Sequence, residues 1–166
     1  VQLSPDTRLE GWDGCSGYHN SDLTIHGFSH THLSGTGCSD YGDILLMPTV
    51  SNPDLTNGSS GYASSFQKSN EIIKLGLYSV KLDKHGIQVR LTSTLRTGMH
   101  EYTYPNGTEP SLVIDLAHRD KVVRAGFTEF IADGVSGYRI SNAWAKEQHV
   151  YFALKTSVPI KRHEYS

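Results

Sequence analysis

From Leu75 onward, apolar and polar residues alternate in short runs. Residues 78–83 and 87–92 alternate on either side of Lys84-His85-Gly86. This sets Val80 and Leu82 opposite Ile87, Val89 and Leu91 across a hairpin with one wet face. Residues 99–104 alternate again and close on Pro105-Asn106-Gly107, where Asn-Gly supplies the positive φ of a tight turn. Runs at 111–116, 121–131, 138–140 and 149–154 follow, with Asp133-Gly134 and Ser136-Gly137 read as turns. Strands this short and evenly spaced, with no 3.6-residue period, predict an all-β chain: an antiparallel β-sandwich with Gly-rich loops and little or no helix. Residues 64–74 are the one stretch with helical character. No repeat or linker divides the 166 residues, so one domain spans 1–166.

Composition narrows the function classes. Fifteen Lys+Arg stand against seventeen Asp+Glu, so the chain lacks the clustered cationic charge that a nucleic acid requires. No window approaches the ~18 apolar residues of a membrane span. The polar chemistry is concentrated near the start. Seven of sixteen Gly, four of nine His and both Cys fall between Gly11 and Gly42. A segment that combines backbone freedom with polar side chains is where sites usually lie. Cys15 and Cys38 lack a CxxC spacing, which excludes a structural zinc site of the usual kind. They are read as free, buried thiols, with a single bridge as the alternative.

His30-Thr31-His32 puts two imidazoles on one side of an extended segment, which can ligate a metal with His19 or His26 and a carboxylate such as Asp40. The pair resembles a cupin motif, yet residues 33–37 supply no acid and no second His motif follows. Histidines that hydrogen-bond loops or a polar ligand are therefore the expectation. Ser34-Gly35-Thr36-Gly37 lacks the Lys of a phosphate-binding loop. Asp13, Asp22, Asp40 and Asp43 could pair for glycoside hydrolysis, although each sits beside a turn-forming residue. Trp12, Tyr18, Tyr41 and Trp144 lie in polar contexts that suit a platform for a sugar's C–H face. Asn57-Gly58-Ser59 and Asn106-Gly107-Thr108 match the glycosylation acceptor pattern and also read simply as turns.

Read continuously, several segments resemble glycoside hydrolase family 92: Val1-Gln2-Leu3-Ser4-Pro5-Asp6-Thr7, Ser16-Gly17-Tyr18-His19 with Asp22, and the ungapped stretch from Gly27 to Pro48. Tyr78-Ser79-Val80-Lys81-Leu82 and Ser141-Asn142-Ala143-Trp144-Ala145 continue the likeness. The resemblance implies part of a calcium-dependent, exo-acting, inverting α-mannosidase, exported to the periplasm, cell surface or medium. It further implies a portion of the N-terminal β-sandwich, with strands preceding Val1 and following Ser166. The calcium ligands and the catalytic acid and base would lie mainly in a C-terminal helical (α/α)6 domain outside this chain. That domain and a mannose-containing glycan would be its partners. Trp12, Tyr18, His19, His30, His32, Cys38 and Asp40 would line the substrate cleft and orient sugar without transferring protons, and the chain alone would be inactive. Two other readings compete: a free-standing carbohydrate-binding module, and a metal-dependent β-barrel enzyme built on His30 and His32.

Overall fold

The alternation around Lys84-His85-Gly86 closes a hairpin in the computed structural model, which describes every residue except Ser34, Thr36, Ser39 and Ser166. Strands β7 (Leu77–Leu82) and β8 (Ile87–Ser93) pair Val80 with Val89 and Leu82 with Ile87. Strands β6 (Ile72–Lys74) and β9 (Gly98–Thr103) flank them in a four-stranded antiparallel sheet ordered β6-β7-β8-β9. A second four-stranded sheet, ordered β1-β3-β4-β10, is built from β1 (Ser4–Asp6), β3 (Gly27–Ser29), β4 (Leu45–Val50) and β10 (Pro110–Asp115). Pro48 sits inside β4 without breaking the sheet. The reason is that β3 meets β4 only at Phe28–Leu46, leaving β10 as the neighbour of the strand's second half.

These two sheets share one core. Phe28, Leu45, Met47 and Val113 from one join Val80, Leu82, Ile87, Val89 and Leu91 from the other in a single buried cluster. Ile25, Tyr62 and Phe66 close its margin. Ile25 belongs to the small ribbon of β2 (Thr24–Ile25) and β5 (Ser64–Ser65), and Tyr62 to the single-turn helix α1 (Ser59–Tyr62). Each such side chain contributes about 1.5–3 kcal/mol on full burial. The predicted pairing of Val80 and Leu82 with Ile87, Val89 and Leu91 is therefore one wall of that core.

A third sheet, β11 (Lys121–Ile131), β12 (Gly134–Asn142) and β13 (Gln148–Lys155), stands apart. Its strands contribute nothing to the apolar cluster and make no extensive contact with the strands of the other two sheets. Phe127 packs against Phe130, Phe152 and Tyr165, and Phe130 also meets Tyr165, with the Phe127 and Phe130 ring centroids 5.3 Å apart.

Two expectations fail. Residues 64–74 form β5, a 3-10 turn at Lys68–Asn70 and β6, not a helix, because Phe66 plugs the core and Ile72 and Ile73 pair with β7. β-branched pairs and Ser/Asn-rich segments favour that outcome. Ser136-Gly137 is not a turn but the middle of β12, where Gly137 lies opposite Phe152 and leaves room for its ring. A register shift in β11 between Phe127 and Glu129 faces the same place, which is the usual meaning of glycine inside a strand.

Candidate functional site

Four non-glycine residues with positive φ gather where the third sheet meets the sandwich: Tyr41 (81°), Ile44 (55°), Arg119 (54°) and Asp120 (53°). A β-branched residue such as Ile44 reaches this region only when its surroundings impose it, and such strain clusters at functional sites. The surroundings here are polar. Arg139 of β12 is wholly buried and pairs with Asp43, itself wholly buried. Its Nε donates to the Leu116 carbonyl at 3.0 Å and one terminal nitrogen to the His118 carbonyl at 2.8 Å. Thr31 and Gln148 also donate to Asp43, at 2.6 and 2.8 Å. Tyr41 N–H donates to Asp120 at 2.8 Å, and the amides of Trp144 and Ala145 donate to Asp40 at 3.0 and 2.9 Å. Side chains therefore bind the Gly-rich loop to the third sheet.

Below this lies a second buried node. Asp6 of β1 accepts from Ser29 N–H at 3.2 Å and from His32 Nε2 at 3.2 Å, with His118 Nε2 at 3.7 Å and Arg119 at 3.9 Å. Burial alone would raise the Asp6 pKa, but hydrogen bonds and charge from His118 and His32 outweigh it and hold the carboxyl far below the usual range. His32 Nδ1 faces the Gln2 carbonyl at 2.7 Å, so both ring nitrogens act as donors. Burial disfavours that cation, yet Asp6 raises its pKa. Gly17 roofs the node with φ 84°, and a Cβ there would lie 2.5 Å from Asp6 Oδ1.

His30 turns the other way. Its Nδ1 donates to the Ile44 carbonyl at 2.6 Å, which leaves Nε2 to accept from His100 Nε2 at 3.0 Å. His100 Nδ1 then accepts from Tyr102 OH at 2.7 Å. One set of neutral tautomers satisfies the whole chain. Burial, then His30, pushes the His100 pKa down to about 3, and burial lowers that of His30. Of the three predicted cleft histidines, His30 and His32 thus brace the base of the loop from inside.

The remaining predicted residues divide between edge and interior. Trp12 is 77% exposed and Trp144 74%. The Trp12 ring lies so close over Gly37 (φ 69°) that any Cβ would collide with it. Tyr18 is half-buried, with its hydroxyl donating to Glu71 and accepting from Lys68. His19 shares the surface cluster of Arg8, Asp13, Ser21 and Asp22. Cys38 is half-buried, and Cys15 is a free, buried thiol donating to the Gly11 carbonyl. Ser34 and Thr36 of the Gly-rich loop fall outside the described residues.

The acidic candidates are all committed. Arg8 lowers the pKa of Asp13 and Asp22 through hydrogen bonds, whereas a general acid needs its pKa raised. Among the described residues no three His, Cys, Asp or Glu side chains converge so as to hold a metal ion. His118, Arg119, Asp120 and Arg139 were missed, because a run of charges reads as a solvated turn until its distant partners are known. Among the described residues Asp120 alone combines strained backbone, a pKa raised by burial and an unpartnered Oδ1.

The architecture is thus an antiparallel β-sandwich with a strained, polar loop edge and two exposed Trp rings. The model of the glycosyl hydrolase family 92 N-terminal domain matches residues 1–166, and the chain belongs to that family. A family GH92 α-mannosidase from Bacteroides thetaiotaomicron, also solved with mannoimidazole, superposes with a TM-score of 0.88 at 33% identity. That match covers 96% of this chain and 23% of that one. An inverting GH92 mannosidase from the same organism shares the fold at 23% identity and a TM-score of 0.66, covering 85% of this chain and 18% of that one. An uncharacterized secreted glycosidase of Arthroderma benhamiae is 25% identical over 124 residues, 65% of this chain and 15% of its own length. The chain therefore spans under a quarter of these relatives. Among the described residues no helix is long and apolar enough to cross a membrane.

Proposed function

We propose that this chain is the cleft-forming domain of an exported, inverting α-mannosidase that removes terminal, α-1,2-linked mannose from glycans. The observation that carries the reading is the edge at Gly37 and Asp40, where the Trp12 ring and the Trp144 backbone are fixed while both indoles stay exposed. An exposed indole suits the C–H face of a pyranose, and the adjoining loop amides and His19 suit its hydroxyls. The α-mannosidase relative solved with mannoimidazole supports the choice of mannose.

Within this chain the proposed work is orientation. Asp13, Asp22, Asp40 and Asp43 are spent on Arg8, Arg139 and backbone amides, and Asp120 is shut away beside Arg139 and the Tyr41 amide, so the proposal assigns proton transfer to carboxyls outside this chain. The described residues do not fit calcium, and no step passes through it here. Purified alone, the chain should hydrolyse no aryl α-mannoside, and turnover by it would refute the proposal. In the full-length enzyme Trp12→Ala and Trp144→Ala should lower kcat/KM by roughly 2- to 12-fold each, from about 0.5–1.5 kcal/mol of lost stacking, with unchanged melting temperature. Unchanged kcat/KM at both positions would overturn it. Tight sugar binding by the isolated chain would favour a free-standing binding module.

A further inference from the structure

Two neighbouring hairpins end in leucines that the described residues leave uncovered. β6 turns into β7 through Leu75-Gly76, and β8 turns into β9 through residues 94–97, with Leu95 and Arg96 at the tip. Leu75 is fully exposed and Leu95 is 86% exposed. Turns are ordinarily built from Gly, Pro, Asn, Asp and Ser. Gly76 has such a local reason to be there, at φ 75°, and the two leucines have none.

The two tips adjoin. The four strands are antiparallel neighbours, so both turns lie at one end of their sheet. Thr92 Oγ1 ties them by donating to the Gly76 carbonyl at 2.7 Å. Beside them Leu77, Thr92 and Met99, itself 67% exposed, line a shallow groove of about 100 Å³, bounded by the Arg90–Glu101 pair at 3.0 Å. Residues 72–78 and 93–100 carry Lys74 and Arg96 and no acid. The patch is therefore apolar with a positive rim. Leucine offers no hydrogen bond to a sugar hydroxyl, so the patch does not extend the Trp edge, and contiguous exposed apolar surface with a polar rim marks a protein contact.

The place of the patch in the fold names the partner. Gly98, which opens β9, lies so close to the His30 ring that a Cβ would stand 2.8 Å from it, and His100 donates to His30. The leucine tips thus share an end of the sandwich with the base of the Gly-rich loop. On the mannosidase reading, carboxyls from outside this chain have to reach that loop, and the chain matches only 23% of a solved mannosidase's length. We propose that the tips of the β6–β7 and β8–β9 turns seat the part of the polypeptide that brings those carboxyls, through an apolar pocket flanked by acids that meet Lys74 and Arg96. The proposal rests on the mannosidase reading for its partner.

The full-length enzyme tests it by hydrogen exchange and calorimetry, neither of which reads activity. In the Leu75→Asp, Leu95→Asp double variant the amides of Gly76, Arg96 and Thr97, corrected for intrinsic rate, should exchange at least ~10-fold faster than in the parent. Its thermal unfolding should split from one transition into two. Lys74→Glu with Arg96→Glu, which leaves the leucines in place, should move both readouts the same way. Protection in β7 and β8 should stay unchanged in both variants, because the replaced side chains stand outside the core. Equal exchange at the tips in parent and variants, or a single unshifted transition, would overturn the proposal. So would a leucine variant that frees the enzyme from a dimer or from anionic vesicles, which would give the tips to a second copy or to a lipid surface. Tips protected in an enzyme that turns over no α-mannoside would keep the docking surface and remove the mannosidase reading.

Discussion

Arg139 fastens the three-stranded sheet to the sandwich, and Arg139→Met tests that directly. The side chain is wholly buried and reaches Asp43, the carbonyls of Leu116, His118 and Arg119, and the Ser141 hydroxyl. Met keeps most of the volume but supplies no donors, so Asp43 is left with Thr31 and Gln148, and the three carbonyls lose this donor. Removing one partner of a buried ion pair costs about 3–5 kcal/mol, a large share of a domain's ~5–15. For a chain of this length that lowers the melting temperature by roughly 8–16 °C. Because β11, β12 and β13 lie outside the apolar cluster, the loss should be local first. Hydrogen exchange should accelerate across β12 well before β7 and β8 lose protection. The double variant with Asp43→Asn should recover at least ~1 kcal/mol of the single-variant cost in urea unfolding, since the orphaned charge is gone. Arg139→Lys should rescue poorly, because an ammonium cannot reproduce the guanidinium fork. A loss below ~1 kcal/mol for Arg139→Met, or protection falling uniformly over both parts, would refute the reasoning.

Acid should act through His100. Its pKa of about 3 lies below the ordinary 6.5, so the unfolded chain binds the extra proton throughout that window. Stability is therefore intact above pH 6.5 and falls as pH drops toward 3, by up to ~1.4 kcal/mol per unit, and Asp6 adds to the same acid limb. His32 works in the opposite sense, because its raised pKa contributes stability below 6.5 that is lost as pH rises through the folded value. Urea midpoints measured from pH 7 to 4 should fall less steeply for His100→Gln, and parallel curves would count against the tautomer chain. Gly17→Ala should cost ~2–5 kcal/mol, combining a left-handed backbone with a collision against Asp6 and His32. Gly35→Ala, where no described residue lies within 4 Å of the added Cβ, should cost only the backbone's ~1–2 kcal/mol, and equal thermal shifts for the two would undo the assignment.

Strands were legible where packing is local. Val80 and Leu82 find Ile87, Val89 and Leu91 across a four-residue turn, and alternation alone encodes that pairing. Residues 64–74 were not legible, because Phe66 and Ile72 answer to β7 and the core rather than to one another. The two histidines show the same limit at the site. Alternation places His30 and His32 on one side only while the segment stays a strand, and β3 ends at Ser29. Beyond it the rings part, His30 toward His100 and His32 toward Asp6, partners 70 and 26 positions away.

The charged residues that order the loop edge were illegible for a related reason. Arg139 occupies a polar position in a strand, and His118, Arg119 and Asp120 look like a turn in water. The side chains of all four are buried because their partners, Asp6, Tyr41 and Asp43, arrive from the other end of the chain. A buried charge survives only with such partners, so the ion pairs fix the loop, the 116–120 turn and the third sheet in one arrangement or fail together. The strain at Tyr41, Ile44, Arg119 and Asp120 is held by that same arrangement. What the sequence does display is the exposed consequence, a Trp beside glycines on an otherwise polar edge. Trp12 and Trp144 are mostly exposed and so add little to the core, and on the proposed mannosidase reading the buried charges serve to hold them at that edge.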